Sequence, residues 1–280
     1  MRITLIIILF LISIFGLPEF KKEEKNINKE IDQEVVIKLE REKYYKTNVL
    51  PIVNKFNTSD AYGNIIARCK QPSLDNGHRM TNAHETTHFI HSELRNYDVL
   101  SRKVSGLPAA FYIFPDKSFH SKQPKFARKE IEKYIPKSLR YSRFTTYFVN
   151  NRDWADYPLY IIDEFVSYIN GSIVALDDYN NKIPIQSTDP MVGPLEFAVY
   201  SVATCMAIRD KDPEYWNDLE FQDFMYDIIK KSESVFKAGR NIYPNNTQEE
   251  ILRNLKTSPD AEPIRAFMKE YFDGFFLSID

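Results

Sequence analysis

The sequence has few of the residues that build disulfide-rich or cysteine-ligated proteins. Only two cysteines, Cys69 and Cys205, occur among its 280 residues, and neither belongs to a Cys-x-x-Cys pair. This excludes a scaffold held by several disulfides and gives no support to a cysteine-ligated zinc site. The two thiols could form one disulfide or stay as buried free thiols, and the sequence leaves both alternatives open.

Neither sign of charge is in excess. The chain has 37 Lys and Arg against 39 Asp and Glu, which gives a formal net charge of −2. It also lacks a basic stripe with interleaved aromatic residues, so we expect no nucleic-acid partner. Hydrophobic residues make up 43% of the chain and aromatic residues 14%, which is enough for a sizeable core.

Long apolar runs are also lacking, with one exception at the amino terminus. Arg2 precedes an apolar run over residues 3–17, which is short for a membrane span and suits the core of a signal peptide. No cysteine follows the run, so a lipid anchor is not supported. Gly16 is the best candidate in a poor cleavage pattern, which keeps an uncleaved anchor as an alternative. We predict that residues 1–18 are a signal peptide or short N-terminal anchor and that the protein is secreted or extracytoplasmic.

Mixed charge follows over residues 19–48, which we interpret as a charged linker leading into a helix. Residues 49–280 are predicted to form one domain. Strands are predicted at residues 65–67 and 109–114. Helices are predicted at about 82–96, 125–134, 159–170 (ending near Gly171), 194–208, 214–235, 247–255 and 261–276. The fold class is therefore α+β, predominantly helical, with a small sheet.

One pentapeptide stands out chemically. His84-Glu85-Thr86-Thr87-His88 places two histidines four residues apart, on one face of a helix, where both imidazoles can bind one Zn2+. Glu85 then lies beside the metal, where a carboxylate can accept a proton from water. An alternative for Glu85 alone is a capping box with Asn82, but that alternative leaves both histidines unexplained.

The pentapeptide resembles the H-E-x-x-H signature of the zincin metallopeptidases. The longer metzincin pattern is disfavoured, because it needs glycine and histidine where the chain has His91 and Leu94. His91 lies nearly two turns from His84, so we expect it to pack or to support a ligand rather than to bind metal. The resemblance is to the glutamate-ligand type, and it implies a zincin-like domain over residues 49–280 with the sheet beside the motif helix.

A zincin site needs a third protein ligand, and Glu164 is our prediction. It lies in an otherwise apolar helical segment, where an unpaired carboxylate would be costly to bury unless it bound a metal. It also follows the motif on a second helix, as the third ligand does in the glutamate-type zincins. Asp163 and Glu196 are the rivals. The acid that the best-known pattern carries four residues after the ligand is Tyr168 here, so the partner that orients a ligand histidine is unassigned.

Tyr157 is the predicted oxyanion-stabilising residue, since some glutamate-type zincins carry a tyrosine seven residues before the glutamate ligand. Tyr160 and His120 are competitors, and ordinary packing of Tyr157 is the alternative.

The resemblance implies a zinc-dependent metallopeptidase that hydrolyses peptide bonds through a zinc-activated water, with Glu85 as general base and His84, His88 and Glu164 as ligands. The expected partner is a peptide or protein substrate, and a membrane is expected only through an uncleaved N-terminal segment. The first alternative is a catalytically inactive zincin-like binding protein that retains the metal. The second is a helical domain in which the pentapeptide is accidental.

Overall fold

The computed structural model describes residues 60–70, 72, 78–100, 107–151, 154–184 and 189–279. The predictions for residues 1–18 and 19–48, and for the start of the domain at residue 49, lie outside these ranges. Across the described ranges, no helix combines the length and the apolar character that crossing a membrane requires.

Helices dominate the described residues, as the sequence predicts. Short 3-10 turns connect some of them, among them Arg128–Tyr134 in place of the predicted helix at 125–134. A π-helix, Thr145–Asn150, follows α3 directly. The α-helices are α1 Ala61–Ala67, α2 Arg79–Leu100, α3 Ser142–Phe144, α4 Tyr160–Asn180, α5 Val192–Lys211, α6 Pro213–Trp216, α7 Leu219–Gly239, α8 Asn246–Thr257 and α9 Glu262–Tyr271.

The small sheet is one antiparallel hairpin in the described part of the chain. Strand β1, Pro108–Ile113, pairs with β2, Lys117–Lys122, so that Phe111 lies opposite Phe119. One face of β1 packs on α1 and α2 through Ala110 and Tyr112. The other face stacks Phe111 on Phe224 of α7, with ring centroids 5.3 Å apart. Because both faces are covered, β1 is almost entirely buried beside α2.

Helix α5 lies at the centre of the fold. Residues 192–208 are all buried, because α4, α7 and the C-terminal helices surround this helix on every side. A helix that is apolar around its whole circumference belongs in such a position. Helix α4 packs on α5 with one face and on α2 with another, so α4 connects the core to the motif helix.

The strand predicted at residues 65–67 is wrong. These residues belong to α1, which Asp60 caps by accepting a 2.8 Å hydrogen bond from the backbone N–H of Gly63. Ile65 is fully buried against α2, so the apolar residues of this segment form the buried face of a helix rather than a strand.

The predicted end of α4 near Gly171 is also wrong, since the helix continues to Asn180. Gly171 faces α2 at close range: a Cβ atom there would lie 3.1 Å from the carbonyl oxygen of Met80 and 3.5 Å from Cβ of His84. The glycine therefore permits a close approach of two helices instead of ending one.

Candidate metal centre

The two motif histidines and Glu164 meet between α2 and α4. The Nε2 atoms of His84 and His88 lie 3.1 Å apart, and Oε2 of Glu164 lies 3.4 Å from the first and 3.5 Å from the second. The three donor atoms thus form a compact triangle of the kind that could hold a metal ion. The structure brings together the three residues that the sequence singles out as ligands.

The Glu164 carboxylate is buried, and its Oε2 atom has no hydrogen-bond donor among the described residues. Such an oxygen is costly to bury unless a cation or donor faces it. Burial would raise the pKa of Glu164, but the two histidines lower it to about 2. Glu164 is therefore ionised over the whole physiological pH range and is ready to bind a cation.

Asp163 lies behind His88, on the side away from the donor triangle. Its Oδ1 atom accepts a hydrogen bond from Nδ1 of His88 and lies 3.0 Å from Nδ1 of His91, while Oδ2 accepts a 2.7 Å hydrogen bond from Arg95. This contact fixes the ring of His88 with Nε2 facing the triangle. Asp163 is thus the orienting partner that the sequence left unassigned.

The charge on Asp163 also changes the protonation of His88. Burial would lower the pKa of His88, but Asp163, with a smaller effect from Glu164, raises it from 6.5 to about 10. The metal-free site therefore holds a proton on His88 at neutral pH. A cation that binds His88 has to displace that proton.

His91 supports the site rather than completing the triangle, in line with the prediction. It is fully buried, and its ring packs edge-on against Phe111 with centroids 5.7 Å apart. His88, His91 and Asp163 form a second group whose donor atoms could hold an ion. The Arg95 guanidinium on the same carboxylate disfavours a second cation there.

Glu85 lies in the interior of α2, with its side chain exposed at the cavity. The capping box is wrong, because the helix begins three residues before Asn82 and that side chain is buried, donating a 2.7 Å hydrogen bond to Tyr62. With the cap excluded, a carboxylate next to His84 and open to solvent has the position of a general base.

Three tyrosines line the cavity. Tyr157, the predicted residue, packs edge-on against Trp154 with centroids 5.3 Å apart. Tyr160 stacks on the same indole, and burial together with the nearby Glu164 carboxylate raises the pKa of its phenol. Tyr147, which the sequence did not indicate, reaches the cavity from the π-helix. Both Tyr160 and Tyr147 interact electrostatically with the Glu164 carboxylate, and burial together with this interaction raises the pKa of each phenol.

The rival Glu196 and the competitor His120 lie elsewhere. Glu196 is buried in α5, where it accepts hydrogen bonds of 2.6 Å from Tyr200 and 3.2 Å from Arg143. His120 bridges Ser118 and Asp98, at 2.7 Å on each side, within the hairpin and α2. Ser118 is fully buried, so this chain of polar groups stabilises the hairpin and offers no accessible nucleophile.

Tyr168 occupies the position where an acid was expected, and it packs instead of hydrogen-bonding to a histidine. Its ring meets His84 edge-on with centroids 4.4 Å apart, and its other side stacks on Phe197. Gly193 leaves room for it, since a Cβ at that glycine would lie 2.2 Å from Cδ1 of Tyr168. His84 is thus held by packing, whereas His88 is held by a hydrogen bond.

A cavity of about 510 Å³ opens over the triangle. The motif face of α2 forms one wall, β1 contributes Ala109 and Phe111 to another, and the aromatic segment before α4 forms the third. Its volume and its mainly apolar lining with a few convergent polar groups are typical of a ligand-binding site.

The two cysteines are buried and are not joined in a disulfide, and neither belongs to the site. Comparison of the chain with protein-family models, curated proteins and solved structures gave no match.

Proposed function

We propose that this protein is a zinc-dependent peptidase whose active centre is the triangle of His84, His88 and Glu164. The observation that carries the proposal is the meeting of three donor atoms around a buried carboxylate oxygen without a donor, with Glu85 exposed beside them. The resemblance of the pentapeptide to the zincin signature supports the same function.

The donor set and its spacing suit zinc. Zinc binds imidazole nitrogen and carboxylate oxygen at about 2.0–2.1 Å, and tetrahedral ligands at that radius lie roughly 3.3–3.4 Å from one another. The observed separations of 3.1, 3.4 and 3.5 Å bracket this value. Three protein ligands are the number found in catalytic zinc sites, which keep one position for water or substrate.

Zinc held by His84, His88 and Glu164 would supply a Lewis acid, which lowers the pKa of a coordinated water to about 7 and polarises a carbonyl. The protein supplies the proton transfers. The Glu85 carboxylate accepts a proton from the water as its oxygen adds to the carbonyl carbon, and then donates that proton to the leaving nitrogen as the C–N bond breaks. Asp163 keeps Nε2 of His88 directed at the donor triangle by accepting a hydrogen bond from the Nδ1–H group.

A phenol stabilises the oxyanion that forms when water adds. Both Tyr157 and Tyr160 line the cavity, and Tyr160 interacts with Glu164 as well. Replacing each with phenylalanine separates the two: the residue that donates to the oxyanion loses mainly kcat, whereas the other changes mainly KM.

The test begins with metal. The full chain, purified without added metal, should hold about one zinc ion by elemental analysis, and His84→Ala, His88→Ala and Glu164→Gln should each lose it. Stoichiometric zinc in a folded His84→Ala/His88→Ala double variant would remove the site assignment.

The second test concerns Glu85. Glu85→Gln should keep zinc and fold but lower hydrolysis of a diverse peptide library by roughly 10²–10⁴-fold, the contribution of a positioned base. Glu93→Gln is the matched control, because Glu93 lies on the same helix outside the cavity lining. Activity equal to the wild type in Glu85→Gln contradicts the mechanism. A wild type that holds zinc and cleaves no peptide in the library favours the inactive binding protein.

A further inference from the structure

The cavity has one strongly basic side chain among its described lining residues, and that is Arg95. In the zinc-loaded protein the metal would offset the charge of the three carboxylates in the lining, Glu85, Asp163 and Glu164, so that away from the metal Arg95 is the positive group an anion can reach. A guanidinium at one end therefore marks the place where a negative group of a ligand can be accepted.

Arg95 is held in position. Its Nη1 atom donates a 2.7 Å hydrogen bond to Oδ2 of Asp163, a carboxylate that His88 also holds. Because Asp163 is buried and fixed from two sides, the guanidinium loses little conformational freedom when it binds a ligand.

The guanidinium also remains accessible. The Arg95 side chain is 22% exposed. A guanidinium has five N–H donors, and Asp163 accepts a hydrogen bond from Nη1 of Arg95. Ser92, one turn earlier on the same face of α2, lines the cavity too and adds a hydroxyl. Ala109 and Phe111 line the same cavity, and their apolar surface strengthens an ion pair formed there.

The position of Arg95 on α2 sets its distance from the scissile peptide bond. It follows His88 by two helical turns, about 10 Å along the axis. Its side chain reaches back far enough to share Asp163 with His88. An extended peptide advances about 3.3 Å per residue, so a carboxylate on Arg95 would belong to a residue within roughly two or three positions of the scissile bond.

We infer that Arg95 is a specificity-determining residue that binds a substrate carboxylate close to the scissile bond. The inference rests on the proposed peptidase function and names its substrate class: peptides that carry either a C-terminal carboxylate or an acidic side chain within a few residues of the cleaved bond. Both sources present the same planar, bidentate partner to the guanidinium.

The experiment compares matched peptides on the full-length, zinc-loaded protein. One pair differs only in a free versus an amidated C terminus, and the other only in Glu versus Gln near the scissile bond. A charge-assisted hydrogen bond predicts that the carboxylate member of one pair is preferred in kcat/KM by about tenfold or more. The pair that shows the preference identifies the source of the carboxylate.

Substitutions separate binding from positioning. Arg95→Gln should reduce the preference to about one, whereas Arg95→Lys should retain part of it. Asp163→Asn disturbs the same ion pair without removing the cation, so it should lower both rates and reduce the preference only in part. A preference that survives Arg95→Gln, or equal rates for both members of both pairs in the wild type, overturns the inference.

A binding measurement keeps this test independent of turnover. In the Glu85→Gln protein, the fluorescence of Trp154, which lines the cavity, should report about tenfold tighter binding of the carboxylate peptide, and Arg95→Gln should abolish that difference. If this preference is found but the wild type cleaves nothing, the proposed hydrolysis fails and the carboxylate site stands. If hydrolysis occurs and neither rates nor binding depend on the carboxylate, the carboxylate site fails alone.

Discussion

Asp163→Asn should change the pH dependence of zinc binding in a way that no simple loss of affinity reproduces. The substitution keeps the shape of the side chain but removes the charge that His88, His91 and Arg95 share. Two opposing effects follow, one on the proton held by His88 and one on the orientation of its ring.

The proton effect is the larger at neutral pH. With a pKa of about 10, His88 carries a proton at pH 7 in the metal-free wild type. Displacing that proton weakens the apparent zinc affinity by roughly a thousandfold at pH 7. This factor falls about tenfold for each unit by which the pH rises toward 10. Without the Asp163 charge the pKa of His88 falls, and most of this competition disappears.

The orientation effect is independent of pH. Removing a carboxylate that holds a ligand histidine costs roughly 10–100-fold in metal affinity. We therefore expect the two affinity curves to cross. At pH 7, Asp163→Asn binds zinc as tightly as the wild type or more tightly, and near pH 10 it binds more weakly by about 10–100-fold.

The assay is competition with a chelator of known affinity between pH 6 and pH 10. Asp98→Asn is the matched control, since Asp98 forms a buried pair with His120 outside the cavity and should leave the curve unchanged. A wild-type affinity that stops rising above pH 7 would refute the reasoning, as would two parallel curves that never approach each other.

Three further perturbations have defined outcomes. Gly193→Ala places a methyl group where 2.2 Å separates it from Cδ1 of Tyr168; denaturation should show a loss of about 1–3 kcal/mol, with weaker zinc binding because Tyr168 packs on a ligand histidine, and wild-type values for both would contradict this. Glu196→Ala removes one of the two carboxylates that pair with Arg143, which keeps Asp189, and also removes the acceptor of the buried Tyr200 hydroxyl. It should cost about 1–3 kcal/mol of unfolding free energy, whereas the folded protein keeps its zinc; loss of zinc at unchanged stability would be the opposite result. The metal-free protein should lose stability as pH rises from 6.5 to about 10. Below pH 6.5 His88 is protonated in both the folded and the unfolded state and its ion pair contributes fully, whereas above that pH folding has to take up a proton. A denaturation midpoint that stays constant across this range would show that His88 contributes nothing.

Local chemistry explains which parts of the site could be predicted from sequence. A spacing of four residues places His84 and His88 on one helix face in any fold, and a carboxylate in an apolar helix needs a partner wherever it lies. That second argument applied equally to Glu164 and Glu196. Only tertiary structure shows that the first faces two histidines while the second pairs with Arg143.

The supporting residues could not be predicted, because their roles depend on direction as well as on type. Asp163 and Glu164 are adjacent in sequence and about 100° apart around α4, so one faces the triangle and the other lies behind His88. Tyr147 reaches the cavity from a π-helix, for which the sequence offered no pattern.

The fold also has elements that could be predicted from the sequence and elements that could not. Apolar periodicity predicted most of the helices, and the strand at 109–114 was correct to within one residue. Its partner β2 was missed because its residues, Lys117–Lys122, are mostly polar and pair through backbone hydrogen bonds. The predicted helix at 214–235 is two helices, since Asp218 caps the second one by accepting a hydrogen bond from the N–H of Glu220.

The division of the donor atoms between two helices couples metal capture to folding. His84 and His88 meet wherever α2 forms, whereas Glu164 joins them only when α4 packs on α2. An ion that binds the native state alone stabilises it by about 4 kcal/mol when its free concentration is a thousand times its dissociation constant. Under the proposed function, zinc would therefore stabilise the packing of α4 on α2 and oppose any opening between the two helices. The same zinc ion that would activate water for hydrolysis would also stabilise the contact between the two helices that line the cavity.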